Sequence, residues 1–574
     1  MPLGILLLFA SSFRSHDVEE NTASSTSWHQ PSTTGSLDPP RHGDYKKAIY
    51  TSSRIEAQVV LTDDSPDIAI PANVSQSENS IFIHPLNPNI LLNSNNTGDT
   101  PRNSVTDVSA FVSLDGGLSW RGIPSLSATL GSDPAVAIDR KGRFYIAHLT
   151  DRFRLNVDYS DNTGQSWTGV RIASEADKCH MWVDNAPASP YEGRLYCAWS
   201  GLLGSLFSHE LLFTSSADRG ASWAPAQVIA RRDLNSNAAV NLQTGPQGQV
   251  YAVWLLTDTA GTALGFTKSL DGGGSFVPVT KAVRGVNPLP VLGTSKDMRV
   301  NSFPSMTVDI SGGPRDGDVY VVWSNIGAPG QTVDKDIDVY MIKSTDEGAT
   351  WSEPVKVNQD PAGRGKQQFF PWIACDPVTG ALGVIFYDDR NVSATACEVF
   401  VAVSLDGGDT WEDFKVSDVA FTPMPISVRS YFGDYLGIAV HAGRVYPCWT
   451  DNRTGPTLAT TYISPFTLAT TTVPEEAAGT ALRTFELYQN YPNPFNAATT
   501  IAFHLEIPGN MEMKIYDTSG QEVRTLANDY QTAGKQTVVW DGRNRHGEEL
   551  GTGVYICRIR SGAFEKVLKM VLIK

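Results

Sequence analysis

The stretch "VSLDGGLSW" (112–120) returns five more times: "YSDNTGQSW" (159–167), "SSADRGASW" (215–223), "KSLDGGGSF" (268–276), "KSTDEGATW" (343–351) and "VSLDGGDTW" (403–411). Ser-x-Asp-x-Gly-x-Ser/Thr followed by an aromatic is turn chemistry. The Asp carboxylate accepts backbone N–H groups across the turn, Gly supplies a positive φ, and the Trp plugs the turn onto its own sheet. Asn162 replaces the Asp in the second copy and Phe276 the Trp in the fourth, each keeping an acceptor or an aromatic plug. The repeat is therefore read as a fold staple, not as a set of catalytic carboxylates or metal ligands.

Upstream of each copy stand two further strand-like segments, for example "PAVAIDRKGRFYIAH" (134–148), "PSMTVDISGGPRDGDVYVVW" (304–323) and "PWIACDPVTGALGVIFY" (371–387). Six units are complete. A seventh copy, "YLGIAVHAGRVYPCWTDNR" (435–453), runs into "LATTYIS" without the turn motif, and "IEAQVVLT" (55–62) has the character of its missing outer strand. Pairing an N-terminal strand with the last C-terminal strands closes a ring and removes exposed edges. The expected architecture is an all-β propeller over 55–466, with seven blades favoured and six as the alternative.

The six turns resemble Asp boxes, the bacterial neuraminidase repeats of sialidases and related propellers. That resemblance implies the propeller fold, with glycan hydrolysis or glycan binding as the activities to test. Because the turns join strands 3 and 4, the loops joining strands 2 and 3, and strand 4 to the next strand 1, belong to the opposite face, around the channel mouth. There lie "MRVNSFP" (298–304), "RGKQQFFP" (364–371) and "RSYFGD" (429–434), which supply Arg299, Arg364 and Arg429. "LTDR", "YDDR" and "TDNR" add Asp151 with Arg152, Asp389 with Arg390, and Asp451 with Arg453. A guanidinium ring suits a carboxylate-bearing ligand, since each group donates two parallel hydrogen bonds; the same pairs serve equally as internal salt bridges.

Sialidases use three arginines, an Asp acid/base and a Tyr activated by a Glu. By that resemblance Tyr431 and Tyr435 are the candidate nucleophiles, with Asp434 and Asp133 as acids and Arg299, Arg364, Arg429, Asp389, Arg390, Asp451 and Arg453 as substrate-binding groups. Asp177 and Glu78 add polar groups before other first strands. The aromatic-Arg-Ile-Pro signature of that family is absent, since Arg54-Ile55 lies between Ser53 and Glu56. A non-catalytic carbohydrate- or protein-binding scaffold is the alternative reading.

After a small and polar linker (467–484) come alternating strands with Gly turns, which predict a β-sandwich over 485–574. "YPNPFN" (491–496), "IYDTSG" (515–520), "WDG" (540–542) and "GVY" (553–555) resemble the C-terminal sorting domain of type IX secretion, and imply its machinery as a partner. At the other end, "MPLGILLLFASS" resembles the hydrophobic region of a signal peptide (1–15), followed by a polar lead-in (16–54). Together these point to a secreted or cell-surface protein acting on an extracellular glycan or glycoprotein.

The net charge of -16 excludes phosphate-backbone binding, so no nucleic-acid partner is expected. No segment has the apolar length of a membrane helix. "HELLF" (209–213) lacks the second His of a zinc-protease helix. The six cysteines show no metal-ligand spacing; Cys179 with Cys197, and Cys375 with Cys397, could bridge neighbouring strands or stay as buried thiols. No cofactor is expected, and structural calcium is left open.

Overall fold

The computed structural model describes residues 49–50, 58–62, 66–70, 72, 74–98, 105–126, 131–202, 209–231, 236–331, 336–426, 430–455, 458–471, 485–505, 509–517, 521–531, 534–561 and 564–574. The signal-like segment, nearly all of the lead-in, most of the linker and Arg429 fall outside these residues. The chain divides into two compact units, Met1–Val473 and Pro474–Lys574.

The first unit holds seven antiparallel sheets. Blade 1 is built from Ser75–Ile83, Leu91–Gly98, a broken third strand (Val105–Val108 and Ala110–Ser113) and Arg121–Ile123. Blades 2 to 6 start at Gly131–Ile138, Ala176–Val183, Ser236–Thr244, Ser305–Val308 and Gln368–Cys375, each followed by three more strands. Blade 7 has Gly437–His441, Arg444–Asp451 and Thr460–Ile463, and its fourth strand is Ile68–Ala69. The N-terminal strand Gln58–Thr62 pairs with the C-terminal strand Phe466–Thr471 of this unit, as expected, but the place of the fourth strand of blade 7 is taken by Ile68–Ala69. Phe466–Thr471 in turn pairs with Arg444 and Val445. Closure from the N terminus therefore uses two short segments.

Seven hydrophobic clusters show that the ring closes, because each spans two successive blades. Leu92 and Val112 of blade 1 meet Val136 and Ile146 of blade 2, and so on round to Ile81 and Leu91, which meet Ala439 and Tyr446 of blade 7. Trp199, Trp254, Trp323 and Trp449, all on second strands, are fully buried in this series. Every interface is thus a small core, as expected where each sheet can bury its faces only against its neighbours.

The six Ser-x-Asp turns join third and fourth strands. In the first, Asp115 Oδ1 accepts the Ser119 N–H (2.9 Å) and the Ser113 hydroxyl (2.8 Å), while Ser113 Oγ accepts the Gly117 N–H (2.8 Å). The aromatic does not plug its own sheet as expected. Phe276 packs edge-on against Phe213 of the preceding blade (4.8 Å between centroids), and Trp351 does the same on Phe266 (5.1 Å). The turn overhangs the seam between blades, where apolar surface is open, and a cation of the preceding blade fixes it there. Arg143 donates to Arg219 O (2.8 Å), and Arg194 to Gly272 O (2.9 Å).

The six cysteines are free thiols. Cys375 ends the first strand of blade 6 opposite Leu382, whereas Cys397 precedes Glu398 at the other end of that blade, so the pair is a strand length apart. "HELLF" lies on the strand His209–Ser216. No helix of the described residues is long and apolar enough to cross a membrane.

The second unit is a two-sheet sandwich. One sheet pairs Phe485–Leu487, Thr499–Leu505 and Gly534–Trp540; the other pairs Glu522–Gln531, Gly509–Tyr516, Gly553–Ser561 and Phe564–Leu572. Trp540 is fully buried between Phe495 and Tyr555, and its indole N–H donates to Arg543 O (3.1 Å) across the Gly542 turn.

Candidate functional site

The first strand of each blade lines the central channel. In five blades it carries a bulge at the end away from the Ser-x-Asp turns, with two residues facing one on the second strand. The leading residue of each bulge has a positive φ without being glycine: Glu78 (57°), Asp133 (55°), Lys178 (44°), Ala239 (56°) and Phe370 (56°). Left-handed backbone costs an ordinary residue about 1 kcal/mol or more. Bulges re-aim side chains at the rims of barrels and near active sites, and here three consecutive blades bring Glu78, Asp133 and Lys178 to one mouth.

Asn96 Nδ2 donates to Glu78 Oε2 (2.9 Å) and to Tyr431 Oη (2.7 Å), and Asn96 Oδ1 accepts the Asp133 N–H (2.8 Å). Ser77 Oγ lies 3.1 Å from the same phenol. From the other side Arg299 grips Asp434 with two hydrogen bonds (3.0 and 2.5 Å) and stacks on the Tyr431 ring (4.5 Å). Asn301 adds a bond to Asp434 O (3.0 Å). Lys178 Nζ stands 3.4 Å from the centre of the Tyr435 ring, whose hydroxyl donates to Pro134 O (3.0 Å).

Residues 285–304, between blades 4 and 5, bring several of these groups. Leu289, Met298 and Val300 pack into the core shared by blades 6 and 7, and the Arg299 N–H donates to Ser430 O (2.8 Å). This connection crosses to the far blades, which is how Arg299 reaches Asp434.

Burial, then the charge of Asp133, raises the Glu78 pKa well above the ordinary value against the opposing pull of Lys178. Asp177 is raised to about 7 by burial and by Asp133, again opposed by Lys178. Burial thus favours the protonated form of two carboxyl groups beside a third, Asp133, which is partly exposed. Burial and then Glu78 push the phenols of Tyr431 and Tyr435 well above the ordinary range.

Among the described residues the expected guanidinium ring is not assembled; Arg429 lies outside them. Arg299 is committed to Asp434. Arg364 is exposed, on a loop whose Gly363 and Gly365 N–H groups are bonded to Asp336 of blade 5. Arg390 is held by Asp388 and Asp413 of its own blade and stacks on Phe400 (4.3 Å). Asp389 instead takes the buried ammonium of Lys296 (2.6 Å) and the Gln367 N–H (2.9 Å). Arg453 is bound by Asp451 and by Asp67 (2.6 Å), tying the N-terminal segment to blade 7. Asp151 and Arg152 occupy a 3-10 turn, with Asp151 3.7 Å from Arg154. Short Asp-x-Arg motifs place the two groups of a pair close enough to neutralise each other locally, and that is what Arg390 and Arg453 do.

Asn96, Ser77 and Lys178 were not singled out from the sequence, and the weight of Glu78 was underread. A signal is nonetheless present: "SENS", "SDPA" and "DKCH" occupy the same position near the start of three successive first strands. No group of three or more His, Cys, Asp or Glu suited to a metal ion occurs among the described residues.

Fold and site define a seven-bladed β-propeller with an acidic channel mouth, joined to an immunoglobulin-like domain. Residues 493–562 match the family described as FlgD Ig-like domain. No curated protein matches the chain. Among solved structures, a protein of unknown function from Dyadobacter fermentans is 14% identical, with a TM-score of 0.40, covering 59% of this chain and 97% of its own. A lectin from Burkholderia pseudomallei is 13% identical (TM-score 0.42, 66% of this chain, 94% of its own). An alpha-L-arabinofuranosidase of Fusarium graminearum is 12% identical (TM-score 0.39, 70% and 97%). At these scores the likenesses assign no activity to this chain.

Proposed function

We propose that the mouth opposite the Ser-x-Asp turns binds an extracellular glycan and cleaves it by acid–base chemistry. The observation that carries this reading is the buried Glu78, bound to Asn96 (2.9 Å), which in turn holds the backbone N–H of the partly exposed Asp133 (2.8 Å), with burial and the Asp133 charge favouring the protonated form of Glu78 and Asp177 beside them near 7. Glycoside cleavage needs a proton delivered to the leaving oxygen by a carboxyl group that keeps it at neutral pH, and a second carboxylate of different protonation state. Asp133 passes a proton drawn from Glu78 behind it to the leaving oxygen, a water adds to the anomeric carbon as the glycosidic C–O bond breaks, the proton that water gives up returns to the Asp133–Glu78 pair, and Lys178 limits the negative charge. Tyr431 and Tyr435 orient this network rather than attack.

The protein is assayed against chromogenic exo-glycosides, sialosides included. Turnover by the wild type, falling at least about 100-fold in Asp133→Asn, is expected. Glu78→Gln should displace the pH profile while the KM holds. A second reading, a glycan-binding module without turnover, is favoured by the engagement of Arg299 with Asp434; glycan retention without any hydrolysis would select it.

The sandwich over 485–574 is proposed to direct export by type IX secretion and attachment at the cell surface. The support is the ordered set "YPNPFN", "IYDTSG", "WDG" and "GVY". Deleting 485–574 should leave the protein inside the producing cell.

A further inference from the structure

The second strand of blade 1 breaks the pattern of the ring. Blades 3, 4, 5 and 7 carry "YCAW" (196–199), "YAVW" (251–254), "YVVW" (320–323) and "YPCW" (446–449) there, whereas blade 1 carries "LNSNNT" (92–97), with Asn93, Ser94, Asn95, Asn96 and Thr97 all buried. Buried amides destabilise a core unless their donors and acceptors are matched. Asn95 Nδ2 donates to Asn93 Oδ1 (3.0 Å) and Thr461 Oγ1 (3.2 Å), and Asn79 Nδ2 to Thr450 Oγ1 (2.8 Å), which ties the run to blade 7. Natural chains depart from a local pattern chiefly where a site requires it.

Asn96, 1% exposed, lies at the end of this run beside the acids. Its amide hydrogens go to Glu78 Oε2 (2.9 Å) and Tyr431 Oη (2.7 Å), and its oxygen takes the Asp133 N–H (2.8 Å). One side chain thus joins blade 1, blade 2 and the segment ahead of blade 7. An N–H directed at Oε2 makes that oxygen the acceptor, which leaves Oε1 as the atom that bears the proton when Glu78 is in its acid form. Glu78 and Asp133 both have left-handed backbone, at 57° and 55°, a conformation that persists only where surrounding contacts impose it. Asn96 bonds the side chain of the first and the backbone of the second.

We propose that Asn96 is the positioning residue of the mouth: it keeps the proton of Glu78 on Oε1 and fixes the aim of Asp133 through that residue's backbone. The assignment rests on the acid–base reading of the mouth. Asn96 acts through these two residues and not on the substrate. Ser77, directly opposite Asn96 on the first strand, gives Tyr431 Oη a further partner (3.1 Å), so the phenol steadies the amide.

The test compares the full-length wild type with Asn96→Leu, and uses Asn93→Leu, from the same buried run, as the control for a merely structural effect. In Asn96→Leu the infrared C=O stretch of protonated Glu78, identified by its loss in Glu78→Gln, should move to higher wavenumber, because the bond to Oε2 is gone. The kcat should fall on the order of 100-fold while the KM holds, and the pH profile should shift. Asn93→Leu should lower the urea midpoint and leave the band, kcat and pH profile as in the wild type. Should Asn96→Leu fail to fold, 15N-asparagine labelling of the wild type decides: one side-chain NH2 pair should move as Glu78 titrates and stay still in Glu78→Gln. A wild type that shows the band but turns over no glycoside would end the acid–base reading and leave the band shift to decide on Asn96. No such band in the wild type, an unmoved band in Asn96→Leu, or no titrating amide pair would overturn the proposal.

Discussion

At the scale of single residues, the mouth is governed by where protons are held. Asp177, held near 7, keeps its proton in the folded chain while the unfolded chain gives it up from about pH 4. The stability this group contributes is present at pH 4 and is lost as the pH rises through 7. Asp177→Asn should therefore lose less stability than the wild type between pH 4 and pH 8, read from urea midpoints. Parallel curves would mean that Asp177 titrates as an ordinary carboxyl. These shifts were invisible in the sequence. Asp133 and Asp434 could be named from their place before first strands, but nothing in "SENS" says that Glu78 takes a left-handed backbone, because the expected marker of that conformation is glycine.

At the scale of elements, the repeated turn was legible and its packing was not. Ser, Asp and Gly at fixed offsets specify a local hydrogen-bond set, which can be read from one copy. The partner of Phe276 or Trp351 belongs to another blade and follows only from the ring. A double-mutant cycle between Trp351 and Phe266 should give a coupling of about 1 kcal/mol, as for an edge-on aromatic pair. Additive effects would return the Trp to its own sheet. The long connection 285–304 is the other element that sequence could not place. It holds the mouth together through Arg299 and Lys296, yet its apolar residues show no strand or helix period.

At the scale of the whole molecule, blade number and the two-unit division follow from counting repeats, whereas closure rests on contacts hundreds of residues apart. Asp67 and Arg453 form one such contact, with Asp67 also accepting the Asp418 N–H (2.8 Å). Asp67→Ala should cost roughly 3 kcal/mol, because it leaves a largely buried guanidinium short of a partner. Its effect should appear in the transition of the propeller and not in that of the sandwich, which has a core of its own around Trp540.

The account depends most on Glu78 keeping its proton at neutral pH. Infrared difference spectra of the wild type and Glu78→Gln at pH 7 measure this directly, through the C=O stretch of a protonated carboxyl group. The account predicts that the wild type carries such a band and that Glu78→Gln removes it. A wild-type spectrum showing only ionised carboxylates, unchanged by the substitution except for the loss of one carboxylate, would contradict it.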